Sequence, residues 1–368
     1  MSIVADIAIV GAGMAGASLA AMIGDRARVV LVEGEAQPGY HATGRSAAFW
    51  QESYGGPGVQ PLTTASGPWL ERAGMLHPRG TVHIADADGQ GALDALAAEL
   101  AACGIESAAL DRAALEAAVP GIRPIYTRAI TEPTCRDIDV GGLHAAFLAQ
   151  ARAAGTVLLP DARVDGAIRD ASGWRLDTRA GQVRAAVMVN AAGAWASPLA
   201  AMAGATPIAI QPYRRTVVQL AVDPPAAPTS PLVMDARGLF YFKPEAGGRL
   251  WLSPHDETPV DPHDVAPEEL DVAVAIDRLE RAVDWRVTRR ERAWAGLRSF
   301  APDRLPVYGF DACAPGFFWC AGQGGFGIQT APAAAMLAAA LLLGESLPDA
   351  VAAIDPGRYA PDRFQRAG

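Results

Sequence analysis

The chain has 368 residues, which is enough for roughly two domains that each bury a core of their own. The formal net charge of −9 and the isoelectric point near 5.2 argue against nucleic acid or another polyanion as a partner. Four cysteines without CxxC spacing, and six histidines that form no ligand cluster with them, predict neither a disulfide framework nor a metal site.

The first elements in chain order predict a dinucleotide-binding βαβ unit. An apolar strand at 6–10 runs into a glycine turn and an apolar helix, and a second strand ends at Glu33. Gly11 permits the tight turn, Gly13 lets backbone N–H groups approach a pyrophosphate at the helix N-terminus, and Gly16 allows close packing of helix on strand. The position of Glu33 predicts a carboxylate that accepts hydrogen bonds from an adenosine ribose.

The next segment, 39–55, reads GYHATGRSAAFWQESYG and follows the dinucleotide unit at the distance where the far end of a flavin would lie. A nicotinamide-dependent reductase would leave this segment without a purpose. We therefore predict FAD as the cofactor.

Two later segments have the same strand-to-glycine pattern. One is at 187–193, and the other, at 319–327, carries four glycines directly before a long helix. Backbone N–H groups and the positive end of the helix dipole would meet there and stabilise the negative charge of a reduced flavin. The helix is predicted over 331–343, ending at Gly344, and is too short to cross a bilayer.

The remaining segments have a different residue pattern, in which apolar and polar residues alternate and Pro and Gly turns separate the alternating stretches. The whole pattern predicts an α/β fold with two lobes, in which an antiparallel-sheet substrate domain is inserted into an FAD-binding Rossmann-like domain. The predicted FAD-binding domain is discontinuous and comprises 1–75, 141–205 and 300–368. The predicted substrate-binding domain comprises 76–140 and 206–299.

Five motifs, GAGMAG, HATGRSAA, NAAGAW, AWAGLRSF and GQGGFGIQT, occur in this order along nearly the whole chain. Together they resemble the FAD-dependent D-amino-acid oxidase and dehydrogenase superfamily, and most closely its bacterial FAD-dependent D-arginine dehydrogenase branch. The resemblance implies FAD buried in the nucleotide lobe and a substrate pocket roofed by the antiparallel sheet. It implies noncovalent FAD, since the GLRSF segment has no cysteine at the corresponding place.

The resemblance also implies a set of residues that bind the cofactor. They are Gly11, Gly13, Ala15, Gly16, Glu33, Gly34, Thr43, Gly44, Arg45, Ser46, Ala47, Ala48, Val164, Gly193, Gly324, Gly325, Gly327, Ile328 and Gln329.

Five residues match the family's substrate-binding and catalytic positions. Arg215 and Arg298 match the arginines that bind the substrate carboxylate, and two guanidinium forks suit a carboxylate better than lysines would. Tyr54 and Tyr241 match tyrosines that face the substrate, and Gln329 falls where the family contacts flavin and substrate amine. Such a site would hold an α-amino acid with its Cα–H facing flavin N5.

Two departures from the D-arginine branch bear on substrate choice. Thr81 stands at the predicted position of the glutamate that pairs a guanidinium, and Phe49 stands at that of a histidine, while His83 could still add local polarity. Because a threonine does not offset the desolvation of a buried cation, we predict neutral, hydrophobic or aromatic D-amino acids as substrates.

One further departure bears on the fate of the electrons. In the similar sarcosine oxidases a lysine above the flavin activates oxygen, and Trp251 is aligned with it here. This favours a dehydrogenase that passes electrons to a quinone or another carrier.

Alternative readings remain open. The carboxylate clamp formed by Arg215 and Arg298 would also accept N-methyl amino acids, L-proline or 2-hydroxy acids. A non-catalytic FAD subunit of a heteromeric complex would have the same cofactor site. No basic residue precedes the first strand, so we expect no signal peptide and a cytoplasmic location.

Overall fold

The computed structural model describes residues 2–365 and folds them around three β-sheets. The strands are β1 (Ser2–Val10), β2 (Val29–Val32), β3 (Phe49–Trp50), β4 (Leu76–Pro78), β5 (Thr81–Ala85), β6 (Ala108–Leu110), β7 (Arg128–Glu132), β8 (Arg136–Ile138), β9 (Val157–Leu159), β10 (Val164–Asp170), β11 (Gly173–Thr178), β12 (Gly181–Asn190), β13 (Gln211–Asp223), β14 (Leu232–Asp235), β15 (Tyr241–Glu245), β16 (Arg249–Ser253), β17 (Thr258–Pro259), β18 (Arg286–Phe300), β19 (Val307–Phe310), β20 (Phe317–Ala321) and β21 (Gln323–Gly324). The α-helices are α1 (Met14–Ile23), α2 (Gln60–Arg72), α3 (Gln90–Ala102), α4 (Arg112–Ala118), α5 (Val140–Ala153), α6 (Ala196–Ala203), α7 (Glu269–Ala282) and α8 (Ala331–Leu343).

The first sheet is the mainly parallel one and has the order β10-β11-β12-β1-β2-β9, with β20 paired to β12 and β19 to β20. Strands β1, β2, β9, β12 and β20 run parallel to one another in it, and β2 is buried over its whole length. One face packs against α1, α5 and α8 in a single apolar core. Because parallel strands end at the same edge, the turns after β1, β2 and β12 lie together, which is where open α/β sheets bind ligands.

The second sheet is mainly antiparallel, with the order β21-β18-β13-β16-β15-β14-β5-β7-β6. Its longest pair, β13 with β18, places Tyr213 opposite Arg298 and Arg215 opposite Gly296. Residues opposite each other, and those two positions along, lie on one face, so this register puts Arg215 and Arg298 diagonally together. The register shifts only beyond this region, between Gln219 and Leu220 and between Ala221 and Val222.

The third sheet is small and has the order β3-β8-β4. It places Phe49 and Trp50 opposite Asp137 and Arg136, so the segment that follows the GRSAA motif is attached to the chain just before α5.

The structure confirms the predicted α/β fold with a Rossmann-like part and a second, mainly antiparallel sheet. All strands of the first sheet come from the segments predicted to form the FAD-binding domain, but β18 and β21 of the second sheet extend to residue 324. The exact domain boundaries remain a prediction, and their outermost positions, 1 and 366–368, lie outside the described residues. The predicted helix at 331–343 is α8, and Gly344 ends it with a left-handed φ of 68°.

Two expectations about single elements need correction or addition. Without a disulfide or metal pattern, the four cysteines are expected to be buried apolar residues. Cys135 and Cys320 are buried and Cys103 is half-buried, whereas Cys313 is exposed because it lies in the turn between β19 and β20. The sequence pattern did not indicate helix α2, which contains Pro68 in its interior. No helix within residues 2–365 combines the length and the apolar character needed to cross a membrane.

Candidate active site

A single elongated cavity of about 390 Å³ runs from the turns at the edge of the first sheet to the face of the second sheet. Its lining joins the turns after β1, β2 and β12 to strands β13, β15 and β18 and to the segment 323–329. The cavity therefore connects the predicted cofactor region with the predicted substrate region.

The turn after β1 has no room for side chains. Gly11 has a φ of 105°, and a Cβ added there would lie 2.3 Å from the carbonyl oxygen of Ala191. A Cβ at Gly16 would lie 1.9 Å from the Gly11 oxygen, so Gly16 serves the packing of α1 on this turn and does not line the cavity. The backbone of Gly13 faces the cavity at the start of α1, where N–H groups and the helix dipole favour an anion.

Glu33 is held in place at the end of β2. Its two carboxylate oxygens accept hydrogen bonds from the backbone N–H groups of Ala12 (2.8 Å) and Glu35 (3.0 Å). Each oxygen keeps a further lone pair, and Glu33 lines the cavity. The arrangement can accept hydrogen bonds from a diol such as a ribose.

The GRSAA segment runs along the cavity with its backbone, while its arginine side chain points elsewhere. The Arg45 guanidinium donates to the carbonyl oxygens of Val265 (3.0 Å) and Ala295 (3.2 Å) and pairs with Asp264. The Arg45 carbonyl accepts a hydrogen bond from the indole of Trp294 (3.0 Å). Arg45 therefore fixes the segment to the second sheet instead of offering its charge to a pyrophosphate.

The cavity lining contains most of the residues predicted to bind the cofactor. Two of them, Gly16 and Gly44, lie behind the lining, and the Gly44 N–H closes a turn onto the carbonyl oxygen of Gly39. Those that line it are Gly11, Gly13, Ala15, Glu33, Gly34, Thr43, Arg45, Ser46, Ala47, Ala48, Val164, Gly193, Gly324, Gly325, Gly327, Ile328 and Gln329.

At the other end of the cavity the structure brings Arg215 and Arg298 together. Their side chains are 7% and 12% exposed. Both donate to the same carboxylate oxygen of Glu257, at 3.2 Å from Arg215 and 2.9 Å from Arg298. Two buried guanidinium groups that converge on one oxygen are a geometry able to bind a carboxylate.

The position of Arg298 depends on aromatic rings and on a glycine. Its guanidinium lies 5.1 Å from the ring centre of Phe300 and 5.7 Å from that of Phe326, and it donates to the Tyr54 hydroxyl at 3.1 Å. A Cβ at Gly325 would lie 1.8 Å from the Arg298 Nη2 atom. Gly325 therefore makes room for the guanidinium.

Two tyrosines and a histidine complete this end. Burial raises the pKa of Tyr241 to about 12, so its hydroxyl stays protonated at neutral pH. The ring of His255 lies 5.7 Å from that of Tyr241 and 6.4 Å from that of Tyr54. Burial, together with the charges of Arg215 and Arg298, lowers the pKa of His255 to about 3. Because its Nδ1 atom lies 2.6 Å from the carbonyl oxygen of Gly238, the neutral ring donates from Nδ1 and leaves Nε2 as an acceptor.

Gln329 lines the cavity, but its side chain is used by the protein itself. Its amide nitrogen donates to the carbonyl oxygen of Tyr54 (2.8 Å) and to the hydroxyl of Thr63 (2.9 Å). Gln329 thus fixes the backbone at Tyr54. Phe49, predicted as part of the pocket wall, lines the cavity and packs 5.0 Å from the Tyr54 ring.

Thr81 and His83 do not lie where the predicted substrate pocket requires them. Thr81 is fully buried in β5 and is not part of the cavity lining. His83 is also buried and lies 3.6 Å from Glu132, the residue paired with Thr81 across the sheet. Because side chains in β5 alternate, these two point into the body of the protein around Glu132 and not into the cavity.

Trp251 is also outside the cavity, which differs from its predicted position over the flavin. It packs against the Trp294 ring at 5.3 Å and against the ammonium of Lys243, the only lysine in the sequence, at 5.0 Å. Lys243 is buried and paired with Asp137 (3.0 Å) and Glu245 (3.1 Å). The sole lysine of the chain is therefore committed to ion pairs beside Trp251.

Glu257 and His255, which lie in the PHDE segment between β16 and β17, are not predicted from the sequence. No local pattern marks them, because their partners are far away in sequence. The one local feature of the segment is the adjacent acidic pair Asp256 and Glu257.

A bilobed α/β protein with a dinucleotide cavity that ends in a pair of buried arginines has the fold and site of a flavin-dependent oxidoreductase. Residues 6–341 match the sequence model of the DAO family, described as FAD dependent oxidoreductase. The chain belongs to this family.

Among curated relatives, the chain is 29% identical over 258 residues to hydrogen cyanide synthase subunit HcnC of Pseudomonas aeruginosa, covering 69% of this chain and 60% of that protein. It is 27% identical over 180 residues to FAD-dependent oxidoreductase domain-containing protein 1 of Bos taurus, covering 44% of this chain and 36% of that protein. The chain thus spans about 60% of the length of HcnC.

Solved structures share the fold over nearly the whole chain. L-proline dehydrogenase from P. horikoshii superposes with a TM-score of 0.85 at 22% identity, covering 100% of this chain and 99% of that one. Glycine oxidase from Geobacillus kaustophilus superposes with a TM-score of 0.81 at 24% identity, covering 93% of this chain and 95% of that one. At these identities the likeness establishes the fold.

Proposed function

We propose that the protein oxidises a D-amino acid with a neutral side chain by removing hydride from Cα, giving an imino acid that hydrolyses to a 2-oxo acid and ammonia. The observation that carries the proposal is the convergence of Arg215 and Arg298, beside Tyr54 and Tyr241, at one end of the FAD cavity. Bound FAD supplies the hydride acceptor at its N5 atom.

The residues that would hold the cofactor are those that line the dinucleotide end. The narrow turn at Gly11 and Gly13 fits a pyrophosphate, and the fixed carboxylate of Glu33 fits the ribose. At the other end, two guanidinium groups would bind the substrate carboxylate and orient Cα, and the protonated Tyr241 hydroxyl would donate to the same group.

The preference for neutral side chains rests on the lining of the clamp end. Phe49, Val217 and Leu297 lie there with the two tyrosines, and the carboxylates that line the cavity within residues 2–365, Glu33 and Glu35, follow β2 at the nucleotide end. The carboxylate beside the clamp, Glu257, is already paired with Arg215, Arg298 and Arg304. A cationic side chain would therefore be desolvated without a counter-charge. The lining of the clamp end, and not Thr81, therefore supports the preference for neutral side chains.

The proposal that electrons pass to a quinone or another carrier, and only slowly to oxygen, now rests on Lys243. The one lysine of the chain forms ion pairs with Asp137 and Glu245 and does not line the cavity, so no lysine ammonium would lie next to the flavin. Stabilisation of the negative charge that develops on oxygen during its reduction would depend on the arginines that bind the substrate.

The test is anaerobic mixing of the FAD-loaded protein with D- and L-enantiomers of neutral and basic amino acids, followed by the loss of flavin absorbance. We expect bleaching to be fastest with neutral D-amino acids, slower with D-arginine and D-lysine, and the reduced protein to react quickly with an acceptor dye but slowly with air. Faster bleaching with D-arginine, or rapid peroxide formation, would contradict the respective part of the proposal.

The panel also includes N-methyl amino acids, L-proline and 2-hydroxy acids, because the clamp recognises only the carboxylate and these compounds share it. A protein that binds FAD but is reduced by none of them would favour a non-catalytic subunit instead.

A further inference from the structure

Glu257 is the residue on which the clamp arginines converge. One of its oxygens, Oε1, accepts hydrogen bonds from Arg215 (3.2 Å), Arg298 (2.9 Å) and a third arginine, Arg304 (2.9 Å). Its other oxygen, Oε2, contacts Arg304 alone, at 3.0 Å. A side-chain carboxylate of the protein, outside the cavity lining, thus uses N–H groups of both arginines that would bind the carboxylate of a substrate.

The three arginines differ in how firmly they are placed. Arg215 and Arg298 are buried, whereas the side chain of Arg304 is 48% exposed and stacks on Phe300 at 3.9 Å. Glu257 itself is 33% exposed. Its carboxylate therefore bridges a buried pair of cations and an outer cation at the solvent side.

The backbone beside Glu257 is fixed, so a change of partner needs only a side-chain rotation. The Asp256 carboxylate accepts hydrogen bonds from the Thr216 N–H (2.7 Å) and hydroxyl (3.0 Å), and the Asp256 carbonyl accepts one from Arg215 (2.9 Å). These bonds tie the segment to β13. Glu257 can leave the clamp without unfolding the segment.

We propose that Glu257 is an intramolecular competitor of the substrate carboxylate and thereby determines how tightly the clamp binds its ligand. In the resting protein Oε1 neutralises Arg215 and Arg298. An incoming carboxylate takes over both guanidinium groups, and Glu257 remains paired with Arg304. Three arginines and one carboxylate carry a net charge of +2 before binding, and the bound carboxylate lowers this net charge to +1. This inference rests on the proposed function, because it assumes that the clamp binds a carboxylate.

The experiment measures the binding of propionate, a carboxylate without an amine, to the FAD-loaded protein by isothermal titration calorimetry. In Glu257→Gln the dissociation constant should fall about ten-fold, the factor expected when a competing state that is occupied roughly nine-tenths of the time is removed. The KM for the amino acid should fall in the same direction. The matched control is Glu268→Gln, because Glu268 pairs with Arg214, next to the clamp but outside it.

A double-mutant cycle separates competition from a general effect of charge. Arg304→Gln removes the outer partner of Glu257, so propionate should bind more weakly in this variant. In a Glu257→Gln background the same Arg304 change should have little effect, because the two residues act as a unit. Equal effects of Arg304→Gln in both backgrounds would overturn the proposed exchange.

Two other results are decisive. An unchanged or higher dissociation constant for propionate in Glu257→Gln overturns the inference, as does weaker binding of the amino acid with unchanged propionate binding, which would make Glu257 an anchor for the ammonium. If Arg298→Ala binds propionate as well as the wild type, the clamp itself fails, and with it the proposed function.

Discussion

Burial lowers the pKa of the Arg298 guanidinium, and the charge of Arg215 lowers it further. Placing two cations side by side away from water costs free energy, and only a carboxylate between them offsets that cost. Glu257 provides it in the resting protein. The two guanidinium groups thus bind an anion at this point of the structure.

Arg298→Ala should lower kcat/KM by about 3 kcal/mol, or roughly two orders of magnitude, because it removes charge-assisted hydrogen bonds to a substrate carboxylate in a partly desolvated site. The FAD content should not change. Steady-state kinetics with the best amino acid check this, with Arg292→Ala on the same strand as control, since Arg292 contacts Gln219 outside the cavity. Kinetics like those of the wild type would remove Arg298 from the site.

Gly325→Ala should reproduce the loss of activity without touching any charge. The added Cβ would lie 1.8 Å from Arg298 Nη2, so the guanidinium must leave its position between the aromatic rings. Activity and FAD content are measured side by side. Gly141→Ala is the control, because its nearest neighbour would be at an ordinary 3.8 Å. Full activity of Gly325→Ala would mean that Arg298 can act from another position.

Glu132 makes stability depend on pH. Burial raises the pKa of Glu132, but hydrogen bonds from His83, Ser53 and Gln51 outweigh burial and lower it below its ordinary value of 4.5. The ionised Glu132 carboxylate therefore stabilises the folded state above about pH 4.5. This stabilisation is lost as the pH falls through the pKa that Glu132 has in the folded state.

The difference in Tm between the wild type and Glu132→Gln should therefore be largest near neutral pH and shrink in acid, since the amide does not titrate. Thermal unfolding at a series of pH values checks this, with the exposed Glu106→Gln as control. A difference that stays constant with pH would show that Glu132 is not ionised in the folded protein.

At the scale of the elements, the sequence predicts best where a structure is local. The strand, glycine turn and helix around Gly11 and the apolar helix α8 are fixed by neighbours in sequence, and both form as predicted. Thr81, His83 and Trp251 were placed from a resemblance, and the alternation of side chains along β5 and β16 turns them away from the cavity. Glu257 could not be found, because its partners lie on strands about forty residues away in either direction.

The turn between β1 and α1 depends on the absence of a side chain at Gly16. An added Cβ would lie 1.9 Å from the Gly11 oxygen, so Gly16→Ala should push α1 away from the turn and reduce the FAD bound per protein. The ratio of flavin to protein absorbance after purification measures this. Gly91→Ala, within α3 and with nothing within 4 Å of its Cβ, should retain the cofactor. Full FAD occupancy in Gly16→Ala would contradict the packing argument.

At the scale of the whole molecule, the family membership and the long cavity agree on FAD, whereas the choice of substrate depends on a few side chains at one end. Structures of L-proline dehydrogenase and glycine oxidase superpose on this chain at low identity, so the fold is compatible with several substrates.

The cofactor should be held without a covalent bond. None of the four cysteines is among the described residues that line the cavity. Acid precipitation of the purified yellow protein should release the flavin into the supernatant, where its absorbance is measured. Colour that remains with the precipitate would overturn the expectation of noncovalent FAD.

The pairing of β13 with β18 has a consequence for how this chain can tolerate changes in length. Inserting or deleting one residue between Gln211 and Gln219 would turn Arg215 to the opposite face of the sheet and so dismantle the clamp while leaving the sheet paired. Beyond Gln219 the pair already absorbs two register shifts. Among proteins that keep this site, we therefore expect a strict spacing between Gln211 and Gln219 and length variation beyond Gln219.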